Sequence, residues 1–201
     1  MNSLIENPSF ETDVSSWVPW LVNETIVRDT TDHRSGVACM RITSTAAGEA
    51  ADQGYWAQAT FGGEDRLAVT EGASYTLSAY FKKVGVIGGW YWLDIDWYSH
   101  PSEGGYVSTS FIDYPVSDGA WGQRSLTATV PAGVTHGVVF VGFYTYLESP
   151  SSMLVDDVYF QQNVADAEAT MNPRVAFAWR ERSKRKPSKP MLSRRSKKMR
   201  F

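Results

Sequence analysis

The feature that most constrains this chain is a two-residue rhythm of apolar and polar side chains, repeated segment after segment. Tyr75, Leu77, Ala79 and Phe81 alternate with Thr76, Ser78, Tyr80 and Lys82. Val139, Val141, Phe143 and Thr145 alternate with Phe140, Gly142, Tyr144 and Tyr146. Leu126, Ala128 and Val130 form a third row, ending at Pro131-Ala132-Gly133. Successive strand side chains point to opposite faces, so a period of two predicts a sheet with one buried side. Turn clusters divide residues 1–162 into about ten such segments: 3–6, 17–29, 37–44, 55–61, 74–84, 89–99, 106–112, 123–130, 137–147 and 153–161. That spacing predicts an all-β fold, a two-sheet antiparallel sandwich whose inner rows pack about 10 Å apart.

Composition sets the limits of this reading. With 201 residues, 43% of them hydrophobic, and 27 aromatics, the chain can bury a full core and carry an appendage. The single cysteine, Cys39, sits among apolar neighbours and allows no internal disulfide, so packing or a metal must supply the stability. The N-terminus has neither a basic region nor a long apolar run, so no export signal is expected and the product is expected to fold in a cytoplasm. No apolar stretch reaches membrane-spanning length, and no membrane partner is expected.

Charge divides the chain in two. Residues 1–171 carry seven basic and 21 acidic side chains, a balance of −14; residues 172–201 carry twelve and one, a balance of +11. The expected organisation is a β-sandwich over 1–162, then a connector and basic tail over 163–201, the connector having the composition of a short helix.

The segment from Gly89 to Tyr98 combines two kinds of face in one strand. Tyr91, Leu93, Ile95 and Trp97 form a core row, whereas Trp90, Trp92, Asp94, Asp96 and Tyr98 share the other side. Flat rings beside carboxylates suit a sugar, because pyranose C–H faces stack on indoles and carboxylates accept from hydroxyls. The plainer alternative is an aromatic sheet face covered by a loop or a neighbouring protein. Asp94 and Asp96 are also spaced, roughly 6–7 Å apart along a strand, within the range of glycosidase carboxylate pairs. Catalytic motifs are otherwise missing: His33, His100 and His136 are scattered in turns, and no phosphate loop, serine elbow or zinc-protease helix occurs. No enzyme is expected.

Several landmarks fall in a familiar order. They are Leu4-Ile5-Glu6-Asn7-Pro8-Ser9-Phe10-Glu11-Thr12-Asp13 followed by Trp17, Arg34-Ser35-Gly36 leading to Met40-Arg41-Ile42, and the run from Val69 to Tyr80. Gly119-Ala120-Trp121, Val130-Pro131-Ala132-Gly133 and Leu154-Val155-Asp156-Asp157-Val158 complete them. Over residues 3–162 the chain resembles jelly-roll carbohydrate-binding modules of the xylan- and glucan-binding type, with a galactose-binding-like fold. The resemblance implies a jelly-roll sandwich and a glycan or polysaccharide partner. The ligand would lie on a concave sheet face, at positions matching Tyr80, Trp90, Trp92, Asp94, Asp96, Tyr144 and Tyr146. Two acids among the rings depart from the amides often found in that groove, which argues against neutral plant polysaccharides. Jelly-roll laminarinase-like enzymes place Glu-x-Asp-x-x-Glu on such a strand, and Trp92 and Trp97 stand where the glutamates would be.

The resemblance also implies a structural Ca²⁺ tying the N-terminal segment to the last strand. Alternation places Asp156 beside Leu154, Val158 and Phe160, and a carboxylate among core side chains needs a partner or a metal. Glu11 is the candidate second ligand, with backbone carbonyls near 34–36 completing an oxygen shell. The alternative is that Asp156 accepts from backbone N–H groups or from Arg41.

The tail carries Arg180, Arg182, Lys184, Arg185, Lys186, Lys189, Arg194, Arg195, Lys197, Lys198 and Arg200. It has three readings: a nucleic-acid strap, an anchor on acidic protein surfaces, or a solvated charge run. The anchor is the preferred one. These features combine into an expectation of a bacteriophage virion protein in tail or capsid decoration, homo-oligomeric within the particle. The sandwich would face host surface glycans while the tail binds virion proteins. A purely structural decoration or adaptor protein and a jelly-roll glycan-processing enzyme are the alternatives.

Overall fold

A computed structural model describes residues 3–19, 24–44, 53–59, 66–84, 89–102, 104–115, 119–145 and 151–163, with the backbone alone for 53–59 and 145. Eleven strands run along the chain: β1 (Trp17–Pro19), β2 (Glu24–Asp29), β3 (Cys39–Ser44), β4 (Gln53–Ala59), β5 (Leu67–Ala68), β6 (Ser74–Val84), β7 (Gly89–Tyr98), β8 (Tyr106–Pro115), β9 (Gly122–Thr129), β10 (His136–Thr145) and β11 (Ser152–Gln162). They form two antiparallel sheets, the first in the order β1-β4-β10-β7-β8 with β5 on β10, the second β2-β3-β11-β6-β9. Among the described residues there is no helix. The connector and the cationic tail lie outside the described residues.

The alternation of the sequence is what joins the sheets. Tyr91, Leu93, Ile95 and Trp97 of β7 are fully buried, as are Leu77, Ala79 and Phe81 of β6 and Val139, Val141 and Phe143 of β10. They merge with Met40, Ile42, Met153, Val155, Val158 and Phe160 into one core. Phe81 stacks on Tyr91 across the sandwich, 5.0 Å between ring centres. The Trp97 indole N–H donates to Ser110 Oγ at 2.9 Å, so its ring is buried with its polar group satisfied. Burying each such side chain contributes about 1.5–3 kcal/mol. Cys39 joins the buried set, its thiol pushed up to about 12 by burial and by the nearby Asp29 and Asp156 carboxylates. It is packing rather than a nucleophile.

Several local details differ from the sequence pattern. Residues 17–29 are two strands in different sheets, β1 and β2. Residues 3–6 form bends, held to β11 by Leu4 N–H on the Phe160 carbonyl, at 2.8 Å. The two-residue β5 was too short to announce itself, and β8 runs on past Ile112 to Pro115.

A further departure concerns Asp156. In β11 the register against β6 steps from Asp156↔Tyr80 to Tyr159↔Ser78. One extra residue is accommodated there, and Asp157 takes a positive φ of 47°. The bulge reverses the alternation. Met153 and Val155 point inward before it, Val158 and Phe160 after it. Asp156 therefore shares the outward side with Leu154, and it is sealed by the 30–37 loop lying over it rather than by the core.

Candidate binding face

Strand β7 is central in the first sheet, between β10 and β8, so its outward row is flanked on both sides. Register builds the face row by row. Trp90 pairs with Tyr144 and Pro115, Trp92 with Gly142 and Asp113, Asp94 with Phe140 and Phe111, and Asp96 with Val138 and Thr109. Tyr98 ends it between His136 and Tyr106.

Rings and acids interlock across these rows. The Trp92 ring stacks on Phe111 with centroids 5.2 Å apart and planes 14° from parallel, and Trp90 leans on Tyr144 at 5.6 Å. Phe111 is 57% exposed and Trp90 37%, while Trp92, Asp94, Asp96 and Tyr144 are half-buried. Val138 and Phe140, beside Asp96 and Asp94 on the same face, are buried. The face is thus a partly open aromatic platform rather than a sealed core layer.

Asp94 is the most perturbed carboxyl on this platform. Burial and the neighbouring Asp96 charge raise it to about 7, against the pull of the Trp92 side chain and the Ile95 backbone N–H. Its Oδ1 is buried and accepts no hydrogen bond of ordinary geometry. Asp96 is better served: Thr109 Oγ1 donates to its Oδ1, and the Tyr98 hydroxyl lies 3.4 Å from Oδ2. The Tyr106 hydroxyl and Thr109 Oγ1 share a bond of 2.8 Å, and Arg66 caps Tyr98 with its guanidinium 3.6 Å from the ring centre.

The structure brings together Trp90, Trp92, Asp94, Asp96 and Tyr144 of the expected set. Tyr146 lies outside the described residues, and so do the anchor residues 180–200. Tyr80 does not belong here. It is on β6, in the other sheet, and points outward from the opposite side of the sandwich. There Arg34 covers its ring at 3.9 Å and donates to its hydroxyl at 3.1 Å. Alternation assigned Tyr80 to an outer face correctly, but alternation within one strand does not say which sheet the strand joins. The β8 contributors Phe111, Asp113, Thr109 and Tyr106 were missed, although pairing consecutive strands as a hairpin would have placed them opposite Trp92, Asp94, Asp96 and Tyr98.

On the other sheet the acids are clamps. Asp156 Oδ2 accepts from the backbone N–H of Arg34 and Ser35 at 2.9 and 3.0 Å, and its Oδ1 from Asp157 N–H at 2.8 Å. Burial raises this carboxyl, and those N–H groups pull it back. Arg34 pairs with Asp157, and Arg41 pairs with Asp29 rather than with Asp156. Glu11 Oε2 accepts from Val37 N–H at 2.8 Å, while its Oε1 is buried without a partner against Gly36, whose φ is +59°. That orphaned oxygen is of the donor type a hard cation takes, whereas both Asp156 oxygens already accept backbone N–H bonds. No group of three or more acid, His or Cys side chains converges among the described residues, so backbone carbonyls would have to complete a shell.

Comparison with known proteins fixes the fold class. No family model matches, and no curated protein matches. Solved structures do. A family-22 carbohydrate-binding module joined to a xylanase of Clostridium thermocellum, complexed with xylohexaose, superposes with a TM-score of 0.59 at 16% identity, over 77% of this chain and 28% of that one. The enzymatically active domain of a tailspike protein of bacteriophage CBA120 gives 0.58 at 12% identity, over 80% and 21%. The chain thus spans about a quarter of the length of these two. A family-16 carbohydrate-binding module gives 0.55 at 13% identity, over 79% of this chain and 99% of that one. The fold is the β-sandwich of carbohydrate-binding modules.

Proposed function

We propose that this protein is a non-catalytic glycan-binding module whose sugar-facing surface is the outer face of β7 with β8 and β10. The observation that carries this reading is the single platform on which Trp90, Trp92, Phe111 and Tyr144 lie beside Asp94 and Asp96. The rings offer stacking surfaces, the carboxylates accept hydroxyl bonds, and the scaffold is one that carbohydrate-binding modules use. The test is binding to arrayed cell-wall and capsular glycans. Trp92→Ala should remove binding, a loss on the scale of about 1–3 kcal/mol per stacked ring. Wild-type failure on every glycan would favour a structural decoration or adaptor role, and sugar release abolished by Asp94→Asn would favour an enzyme.

The setting we propose is a bacteriophage particle, with the sandwich facing host glycans. The tailspike match supports it, and so does the contrast between a −14 body and a +11 C-terminal segment. The cationic residues Arg180–Arg200 then anchor the module on an acidic surface of a virion protein or a second copy. Deleting residues 173–201 should leave a soluble domain that no longer joins the particle, and normal incorporation would refute the anchor. We also propose a Ca²⁺ held by Glu11 and Asp156, which would fasten the segment before β1 to β11. A chelator should then lower the melting temperature, and an unchanged value would remove the ion.

A further inference from the structure

The acids of the β7 face differ from those elsewhere in the molecule. On the other sheet Asp29 is paired with Arg41, Asp32 with Lys82 and Asp157 with Arg34. No described cation pairs with Asp94, Asp96 or Asp113, although these three sit in adjacent rows of one face. Arg66, at the end of that face, is already committed to the Tyr98 ring and to the carbonyls of His100 and Gly104 at 3.0 and 2.6 Å. The carboxylates are set among rings whose electron-rich faces also attract cations. Asp94 Oδ1, buried and accepting no hydrogen bond of ordinary geometry although the Trp92 side chain and the Ile95 N–H pull on the carboxyl, completes the pattern. A neutral hydroxyl could accept or donate here, but it would leave the charge uncompensated. An ammonium group would satisfy the carboxylates, the orphaned oxygen and the ring faces together.

Resting on the glycan-binding reading, we infer that the ligand of this face is a polysaccharide carrying free primary amines, its ammonium group seated between Asp94 and Asp96 while its ring stacks on Trp92. The neighbouring hydroxyls of Tyr98, Tyr106 and Thr109 hold Asp96 in place for that contact. An N-acetylated sugar has lost the charge and gained bulk where the acids lie.

The experiment is calorimetric titration of the full chain with a glucosamine hexamer and with the same hexamer fully N-acetylated, at matched pH near 7, where Asp94 is substantially ionised. The free amine should bind at least about tenfold more tightly. Asp96→Asn should cut that preference to about twofold or less by weakening the amine complex far more than the N-acetylated one, and rising salt should weaken chiefly the amine complex. Equal or tighter binding of the N-acetylated hexamer, or a preference that survives both Asp96→Asn and Asp94→Asn, overturns the inference. In that case Trp92-dependent binding of the neutral sugar would leave the glycan-binding reading standing. Amine binding that Trp92→Ala does not touch would sink the inference too, by locating the cation elsewhere, most simply in plain attraction to the acidic body.

Discussion

Replacing Asp94 with Asn tests the electrostatics of the β7 face without needing a ligand. Asn keeps the size of the side chain and an acceptor for the Ile95 N–H, but removes the charge. In the folded protein Asp94 titrates at about 7 instead of its ordinary 3.8, because burial and Asp96 oppose ionisation. At about 1.4 kcal/mol per tenfold change in proton affinity, ionised Asp94 costs the fold at most about 4 kcal/mol. Solvent reaching its exposed part lowers this to about 1–3 kcal/mol. The direction follows from linkage. Between about pH 4 and 7 the folded state binds more protons at this site than the unfolded chain, so the wild type loses stability as pH rises, and above 7 the whole cost is present. Asp29 and Asp32 act oppositely. For Asp29, Thr31 and Arg41 outweigh burial, and for Asp32 the Lys82 bond dominates, so both titrate below the usual range and give stability that is lost in acid. Only the difference between variant and wild type isolates Asp94. Urea unfolding across that range should show Asp94→Asn near neutral at about pH 4 and more stable by about 1–3 kcal/mol near pH 8. A difference that is flat with pH, or that turns against Asn at high pH, would mean that Asp94 is ionised and satisfied, and the argument for an uncompensated acid would fail.

Two further outcomes separate binding from support. Tyr80→Ala should leave glycan affinity within about twofold while lowering the melting temperature by a few degrees, because Tyr80 serves the Arg34 clamp on the other sheet; parallel glycan titration and thermal melts read both. Asp156→Ala orphans the N–H groups of Arg34, Ser35 and Asp157 under a closed loop, and should destabilise by about 2–4 kcal/mol in urea unfolding; a loss below about 1 kcal/mol would mean that water replaces the carboxylate.

What was legible beforehand was whatever a single strand can announce. The rows Tyr75–Phe81, Tyr91–Trp97 and Val139–Phe143 follow from period alone, because each sheet has one wet and one dry side and the pattern has no other solution. Sheet membership was not legible. Strands β6 and β7 are consecutive and similarly patterned, yet they belong to opposite sheets, so Tyr80 and Trp90 look like neighbours in sequence and face away from each other in space. The bulge at Asp157 was hidden for another reason: an inserted residue inverts the alternation without altering composition, and Leu154-Val155-Asp156-Asp157-Val158 reads as well in either phase. The contribution of β8 was missed because Phe111 and Asp113 matter only through their partners Asp94 and Trp92.

Seen together, the corrections sort the polar chemistry by sheet. Arg34, Arg41 and Lys82 all spend their charges on the outer side of the β2-β3-β11-β6-β9 sheet, fixing the 30–37 loop over Asp156 and Cys39. Among the described residues that network leaves one buried carboxylate oxygen without a bond, Oε1 of Glu11. The opposite sheet has comparable acids and no matching cations among the described residues. If Asp94 served only stability, the neutral Asn would serve better there, since it would escape the burial cost and the Asp96 repulsion that lift the acid. Two carboxylates set i, i+2 on a ring-lined strand, against that cost and with no described cation to answer them, are what a positively charged partner would need.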